Sequence, residues 1–117
     1  MTIEELIREA TATAKEKGFH DTPRSVGDDI ALIHSEASEA LEDYRVWGEE
    51  ALVGDVWWNT DNPEKPEGFI VELMDILIRV CETIGRRGIT IEKVEYALRK
   101  KLEYNRTRSQ RHGGKIL

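Results

Sequence analysis

The spacing of apolar side chains is the feature that most constrains the fold of this 117-residue chain. Such side chains recur every three or four positions, the period of an amphipathic α-helix, in four segments. The segments run from about 3 to 17, from about 23 to 47, from about 67 to 86 and from about 90 to 108. No segment shows the strict alternation of a convincing strand. The sequence therefore predicts an all-α fold, a bundle of four to five helices.

Residues typical of helix ends flank these segments. Thr2 and Glu5 match a capping box before the first helix, and Gly18 predicts its end. Thr22 is the predicted N-cap of the second helix, with Pro23 in its first turn. Further end signals are Gly48, Gly85, Gly88 and Thr90. The stretch from about 48 to 67 breaks the helical period, which predicts a loop insertion with an aromatic middle.

Length and composition limit the class of protein. A chain of this size predicts a single domain, residues 1–117, in which oligomerisation could supply much of the burial. No run of about 18 apolar residues is present, so no membrane span is predicted. Residues 1–5 lack the basic start and apolar stretch of a secretion signal. Cys81 is the lone cysteine and cannot form an internal disulfide, so we expect a reducing, cytoplasmic location.

The net charge of −6 is unevenly distributed. Residues 99–115 hold seven Lys or Arg and one acid, a net +6, so the rest of the chain carries −12. The segment from about 106 to 117 is predicted to be a basic C-terminal tail. Acids in the body could collect metal ions, and the tail could meet phosphate. Most of these charges are expected simply to cover a solvated surface.

Two carboxylate pairs stand on adjacent predicted helices. Glu36 and Glu39 are three residues apart, as are Glu72 and Asp75, so each pair shares one helix face. On a helical wheel each pair lies at the edge of an apolar stripe. We therefore expect that packing the two apolar stripes together brings the four acids close to one another.

Four carboxylates at a helix junction would repel one another and lose hydration, so a compensating cation is expected. Mg²⁺ suits such a site because it prefers oxygen ligands and completes its shell with water and substrate phosphates. A chain with 23 acids also forms acidic pairs by chance, and Glu92 with Glu95 is read as one of them. Exposed charge, or pairing with Arg45 and Arg79, is the alternative.

A basic face is predicted on the last helix. Lys101, Asn105 and Arg108 follow i, i+4, i+7 spacing, so the two cations could bind a polyphosphate and the amide a sugar, phosphate or base. His112 and Lys115, on a glycine-loosened tail, could fold over a bound nucleotide. The alternative is a positive helix end that complements its own dipole, or ion pairs with the acidic body.

The sequence ALIHSEASEALE at 31–42, followed by ELMD at 72–75, resembles the MazG-like all-α nucleotide pyrophosphohydrolases. The hallmark of that family is an ExxE pair and a later ExxD pair on adjacent helices. KLEYNRTR at 101–108 and HGGK at 112–115 are similar to the C-terminal signature of small bacterial and phage members. The resemblance covers most of the chain from about 18 to 115. Each pair alone is loose, whereas the three elements in this order are quite specific.

The resemblance implies a bundle assembled as a homodimer or homotetramer that cleaves a nucleoside triphosphate between its α- and β-phosphates. A nucleoside monophosphate and pyrophosphate would be released. The catalytic residues would be the Mg²⁺ ligands Glu36, Glu39, Glu72 and Asp75, with Mn²⁺ able to substitute. Candidate substrate contacts are Lys101, Asn105, Arg108, His112, Lys115 and Trp57.

Two departures from the family pattern bear on the mechanism. Some members carry a further glutamate where this chain has Ser35, so the general base is left unnamed. The stretch 40–71 is longer than in compact members, and Trp57 and Trp58 within it could stack on a base. Packing in the core or at an interface is the more common role of tryptophan. His20 could line a base pocket or lie at the surface.

The leading hypothesis is a pyrophosphohydrolase that cleanses or balances the nucleotide pool. A non-catalytic helical module that binds a nucleotide or a partner protein is the alternative. A DNA-binding role for the basic tail is less favoured, because the acidic body would repel a phosphate backbone.

Overall fold

A computed structural model of the chain describes residues 1–50 and 55–108. Its helices are α1 (Ile3–Glu16), α2 (Val26–Trp47), α3 (Phe69–Arg86) and α4 (Ile91–Thr107). Two short strands, β1 (Trp57–Trp58) and β2 (Pro66–Glu67), lie between α2 and α3. The all-α prediction is confirmed. The chain divides into a compact unit from Met1 to Arg87 and a second unit that begins at Gly88, and the prediction of a single domain stays a prediction.

Local chemistry fixes both ends of α1 as the sequence predicts. The Thr2 hydroxyl accepts a hydrogen bond from the backbone N–H of Glu5 at 3.1 Å. At the other end, Gly18 adopts a φ of 82°, and the N–H of Phe19 donates to the carbonyl of Ala14 at 2.9 Å. These bonds satisfy backbone groups that a helix end leaves without partners.

The predicted start of α2 is wrong by three residues. Ser25 is the N-cap, because its hydroxyl accepts from the N–H of Asp28 while the Asp28 carboxylate accepts from the N–H of Ser25. This reciprocal capping box satisfies two donors. The carbonyl of Thr22, the predicted cap, instead accepts a hydrogen bond from Arg86 of α3 at 2.9 Å.

The expectation of a loop without strands at 48–67 is also corrected for its described part. Strands β1 and β2 pair antiparallel, with Trp57 opposite Glu67 and Trp58 opposite Pro66. The side chain of Asn59 accepts from two backbone N–H groups in the connecting turn, as asparagine commonly does. Residues 51–54 lie outside the described residues.

Helices α1 and α2 both pack against α3. The α1–α3 contact depends on small residues: Ala10 and Ala14 are buried, and Gly85 lies directly against the Thr11 side chain. The apolar residues buried in the described chain are small, namely Ala10, Ala14, Ala40 and Cys81. Larger apolar side chains, among them Leu6, Ile33, Ile76 and Ile84, are half-buried.

Buried ion pairs join α2, α3 and the segment before α2. Asp29 and Glu82 are 1% and 3% exposed. Arg24 bridges them, with its Nε 2.8 Å from Asp29 Oδ1 and its Nη2 3.0 Å from Glu82 Oε2. Arg87 binds the second oxygen of Asp29 at 2.7 Å, and His20 Nε2 lies 2.9 Å from Glu82 Oε1. Each buried carboxylate therefore has cationic or hydrogen-bonding partners, as burial requires.

The predicted apolar stripes of α2 and α3 are only partly buried within this chain. Ile33 on α2 and Phe69, Ile76 and Ile84 on α3 are half-buried. The members that stay at least 36% exposed are Val26, Ile30, Leu41 and Tyr44 on α2, and Leu73, Leu77 and Val80 on α3. The inward side of α2 carries Asp29, Glu36 and Asp43, called its acidic face, beside the half-buried Ile33 and the buried Ala40. Arg87 binds the first of these residues and Arg79 binds the second, so ion pairs determine which face of α2 turns inward.

Helix α4 is amphipathic but has no buried residue. Thr90 caps it as predicted, since its hydroxyl accepts from the N–H of Lys93 at 3.3 Å. None of the described helices combines the length and apolar character needed to cross a bilayer.

We expect Gly85→Ala to lower the free energy of unfolding by about 1–3 kcal/mol, the usual cost of overpacking. The new methyl group would overlap the Thr11 side chain, whose hydroxyl is held by the Ile7 carbonyl at 2.6 Å. Gly27→Ala is the control, since the nearest side-chain atom to its added methyl group is 3.5 Å away. This second change should be neutral or stabilise the helix by up to about 1 kcal/mol. Urea unfolding of both variants measures the difference, and equal stabilities would contradict the proposed contact.

Candidate metal centre

Three of the four predicted metal ligands converge. Glu36 and Glu39 lie one turn apart on α2, and Glu72 faces them from α3. One carboxylate oxygen from each residue lies within 4.8 Å of one from each of the others. We call these three residues the acid cluster. Helical spacing aligns the pair on α2, whereas only the packing of α2 on α3 brings Glu72 to them.

Asp75, the fourth predicted ligand, lies next to the acid cluster but outside its converging oxygens. It is one turn after Glu72 on α3 and lines a cavity together with Glu36. Burial, and then the negative charge of Glu36, raise the pKa of Asp75, whereas Arg79 opposes the shift. Its role as a ligand stays a prediction.

Glu72 is the most perturbed member of the acid cluster. Burial, followed by repulsion from Asp43, Asp75 and Glu39, raises its pKa to about 7. Its Oε2 atom is buried and has no hydrogen-bond partner among the described residues. The repulsion from Glu36 is the main cause of the raised pKa of Glu39. The cluster therefore favours the binding of a proton or of another positive charge.

Two cations partly offset this negative charge. Arg79 Nε donates to Glu36 Oε1 at 3.2 Å, so one of the pairings considered from the sequence is present. Arg45 instead pairs with Glu42 at 3.5 Å on the exposed side of α2. Lys65, in the turn between the strands, lowers the pKa values of Glu39 and Asp75 by its charge. Neither Arg79 nor Lys65 forms a hydrogen bond with Glu72 Oε2.

The donor set fits a hard divalent cation. All three converging groups are carboxylates, and Mg²⁺ and Mn²⁺ prefer oxygen ligands. A buried oxygen without a partner is a costly feature that a bound cation would relieve. Two independent observations therefore indicate a cation at the acid cluster: three carboxylates converge there, and Glu72 Oε2 has no hydrogen-bond partner among the described residues.

Two cavities lie in the same compact unit as the acid cluster. One, of about 330 Å³, lies between α1 and α3 and is bordered by Glu36 and Asp75; we call it the α1 cavity. The other, of about 320 Å³, is lined by Trp47, Trp57 and Asp43 and is called the tryptophan cavity. Trp57 is 47% exposed there. Its predicted contact with the substrate stays a prediction.

The basic face of α4 is present within that helix. Lys101 and Arg108 both lie near the ring of Tyr104, at 5.1 and 5.9 Å from its centre. Cations at such distances are attracted to the ring face. The substrate roles predicted for Lys101, Asn105 and Arg108 stay predictions. His112 and Lys115 lie outside the described residues.

Sequence reasoning did not assign a function to several residues near the site. Asp43 lies seven residues after Glu36, which is nearly two helical turns, and the helical wheel already predicts it on the same edge of α2 as Glu36 and Glu39. Lys65 gave no such signal. Glu82 could not be found either, because its burial depends on His20 and Arg24, about 60 residues earlier in the chain.

The raised pKa of Glu72 predicts a pH-dependent stability in metal-free protein. Between its usual pKa of 4.5 and about 7, the folded protein keeps the proton that the unfolded chain releases. The free energy of unfolding should therefore fall as pH rises through this range and level off above it. Glu72→Gln should flatten the slope, measured by urea unfolding at pH 5, 6, 7 and 8. Mg²⁺ should raise Tm more at pH 8 than at pH 5, because it competes with the proton.

Glu92→Gln, an exposed acid on α4, is the control for this experiment and should keep the wild-type slope. A Glu72→Gln profile identical to that of the wild type would show that Glu72 does not hold the proton.

Comparison with protein-family models, with curated proteins and with solved structures finds no match.

Proposed function

We propose that this protein is a Mg²⁺-dependent nucleoside triphosphate pyrophosphohydrolase that releases a nucleoside monophosphate and pyrophosphate. The observation that carries the proposal is the acid cluster with its orphaned oxygen, Glu72 Oε2. The order of the ExxE pair, the ExxD pair and the basic C-terminal segment in the sequence supports the same reaction. Cleansing of the nucleotide pool is the proposed role.

The acidic residues provide the chemistry of this proposal. Glu36, Glu39 and Glu72 hold the cation, and Asp75 borders the same position. A bound Mg²⁺ supplies charge that polarises a phosphoryl oxygen and orients the phosphates. Arg79 fixes the Glu36 carboxylate by a hydrogen bond at 3.2 Å and so positions one ligand.

The charge of the acid cluster explains why the substrate would need cationic contacts in addition to the bound ion. Three carboxylates and one Mg²⁺ leave a net negative charge, which would repel a polyphosphate without further cations. The basic face of α4 offers Lys101 and Arg108, held at the Tyr104 ring, as phosphate contacts. Asn105, His112, Lys115 and Trp57 complete the proposed substrate contacts.

The direct test is to incubate the protein with Mg²⁺ and a panel of nucleoside tri- and diphosphates and to separate the products. We expect a monophosphate and pyrophosphate from at least one triphosphate. Glu39→Gln and Asp75→Asn should each lower kcat/KM by about 10²-fold or more, as the loss of a charge-stabilising group does. Chelation should abolish activity, and Mg²⁺ or Mn²⁺ should restore it.

Glu92→Gln is the matched control, because Glu92 and Glu95 form an acidic pair of the same spacing outside the acid cluster. It should retain wild-type activity. Nucleotide binding by calorimetry with no product over several hours would replace the hydrolase by the alternative, a non-catalytic binding module. Full activity of both Glu39→Gln and Asp75→Asn would remove the acid cluster and Asp75 from the mechanism.

We also propose that a second copy of the chain covers the exposed apolar stripes of α2 and α3. Contiguous apolar surface of this kind commonly marks an interface, and a unit whose buried apolar residues are small gains burial by association. Light scattering should give the mass of a dimer or tetramer. Leu41→Arg, in the α2 stripe, should shift the mass toward the monomer, whereas Ala12→Arg on exposed α1 surface should not. A monomeric wild type at tens of micromolar would contradict this proposal.

A further inference from the structure

The α1 cavity has one buried polar group apart from the acids that border the proposed metal position. Its walls combine apolar residues with polar ones that are not fully buried: Leu6, Ala10, Ala14, Phe19 and Ile78, and Glu9, Thr13 and Arg79. Glu36 and Asp75 lie at the border with the metal position, whereas Glu82 lies one to two turns further along α3. A molecule whose phosphates meet the acid cluster could therefore extend into this cavity and reach Glu82.

The Glu82 carboxylate is held rigidly but retains a place for one more hydrogen bond. Its Oε1 receives bonds from His20 at 2.9 Å and from Arg24 at 3.3 Å. Its Oε2 receives one bond, from Arg24 at 3.0 Å. Because each carboxylate oxygen can accept two hydrogen bonds, Oε2 can accept another. The residue is 3% exposed, so bulk water hardly competes for that place.

We propose that the α1 cavity takes the base of the nucleotide and that Glu82 selects bases bearing an amino group. An amino group donates to the carboxylate, whereas a carbonyl oxygen in the same place would set two acceptors against each other. A buried site with a fixed polar group discriminates strongly against a ligand that leaves this group unpaired. This inference rests on the proposed nucleotide substrate, but it does not require hydrolysis.

The tryptophan cavity is the other position for a base, and one base cannot occupy both cavities. Trp47 and Trp57 could stack on any base, since every base has an aromatic face. Stacking alone would give affinity with little discrimination. The α1 cavity is favoured because it borders two of the predicted metal ligands and contains a buried group that can read a base edge.

Cytosine and uracil test the inference most directly, because they differ at the edge that carries the amino or carbonyl group. We expect the wild type to bind cytidine monophosphate at least about tenfold more tightly than uridine monophosphate, measured by calorimetry with Mg²⁺ in ribose and deoxyribose forms. Glu82→Gln should reduce this ratio to about threefold or less, because an amide can donate to the uracil carbonyl.

Asp29→Asn is the matched control. Asp29 belongs to the same buried ion pairs and binds Arg24, but it does not line the α1 cavity. It should cost stability yet preserve the cytosine preference. If Glu82→Gln does not fold, Glu82→Asp replaces it; this variant keeps the charge but withdraws the carboxylate, and it should also lower the ratio.

Several outcomes would overturn the inference: a wild type without base preference, an unchanged ratio in Glu82→Gln, or an equal loss of the ratio in Asp29→Asn. Loss of the ratio in Trp57→Leu but not in Glu82→Gln would assign the base to the tryptophan cavity. Hydrolysis of triphosphates without base preference would leave the proposed function standing and reject only the role of Glu82. Discriminating binding without hydrolysis would reject the reaction and support the role of Glu82.

Discussion

The contact between the acidic face of α2 and helix α3 is the interaction on which the rest of the structure depends. Asp29, Glu36 and Asp43 follow one another at intervals of seven residues on this face. Arg24 and Arg87 neutralise Asp29, for which burial alone would raise the pKa; their hydrogen bonds and charges instead hold this pKa below its usual value. The ion pairs of Asp29 with Arg24 and Arg87 fix the rotation of α2 about its own axis. The same rotation turns Glu36 and Glu39 toward Glu72.

The balance of charge changes along this contact. Two arginines bind Asp29, and Arg79 binds Glu36. At the Asp43 end, Glu72 meets acids from α2 without a cationic partner, and its pKa rises to about 7. The same helix pair is thus stabilised at one end and strained at the other. Functional sites commonly carry such perturbed groups, because the fold bears the cost elsewhere. This unbalanced end is where a divalent cation would have the greatest effect.

The distribution of apolar residues explains why ion pairs have such influence within one chain. The fully buried apolar residues of the described chain are alanines and a cysteine, whereas several larger aliphatic residues of α2 and α3, such as Leu41, Leu73 and Leu77, are exposed. Burial of large side chains usually contributes the most to packing, and the proposed association of two copies would bury those of α2. Within one chain the acidic face of α2 contacts α3, and most of its apolar stripe stays exposed.

The sequence alone determined the helices, because period and caps act within a few residues. Thr2, Gly18 and Thr90 act as predicted, whereas α2 begins at Ser25 because Arg86, far along the chain, binds the Thr22 carbonyl. Spacing also placed Glu36 beside Glu39. Only the tertiary structure decided that the acidic face of α2 turns toward α3, where Arg79 and Arg87 bind it. That choice depends on cations and carboxylates at least 43 residues apart, whose pairing a local pattern does not encode.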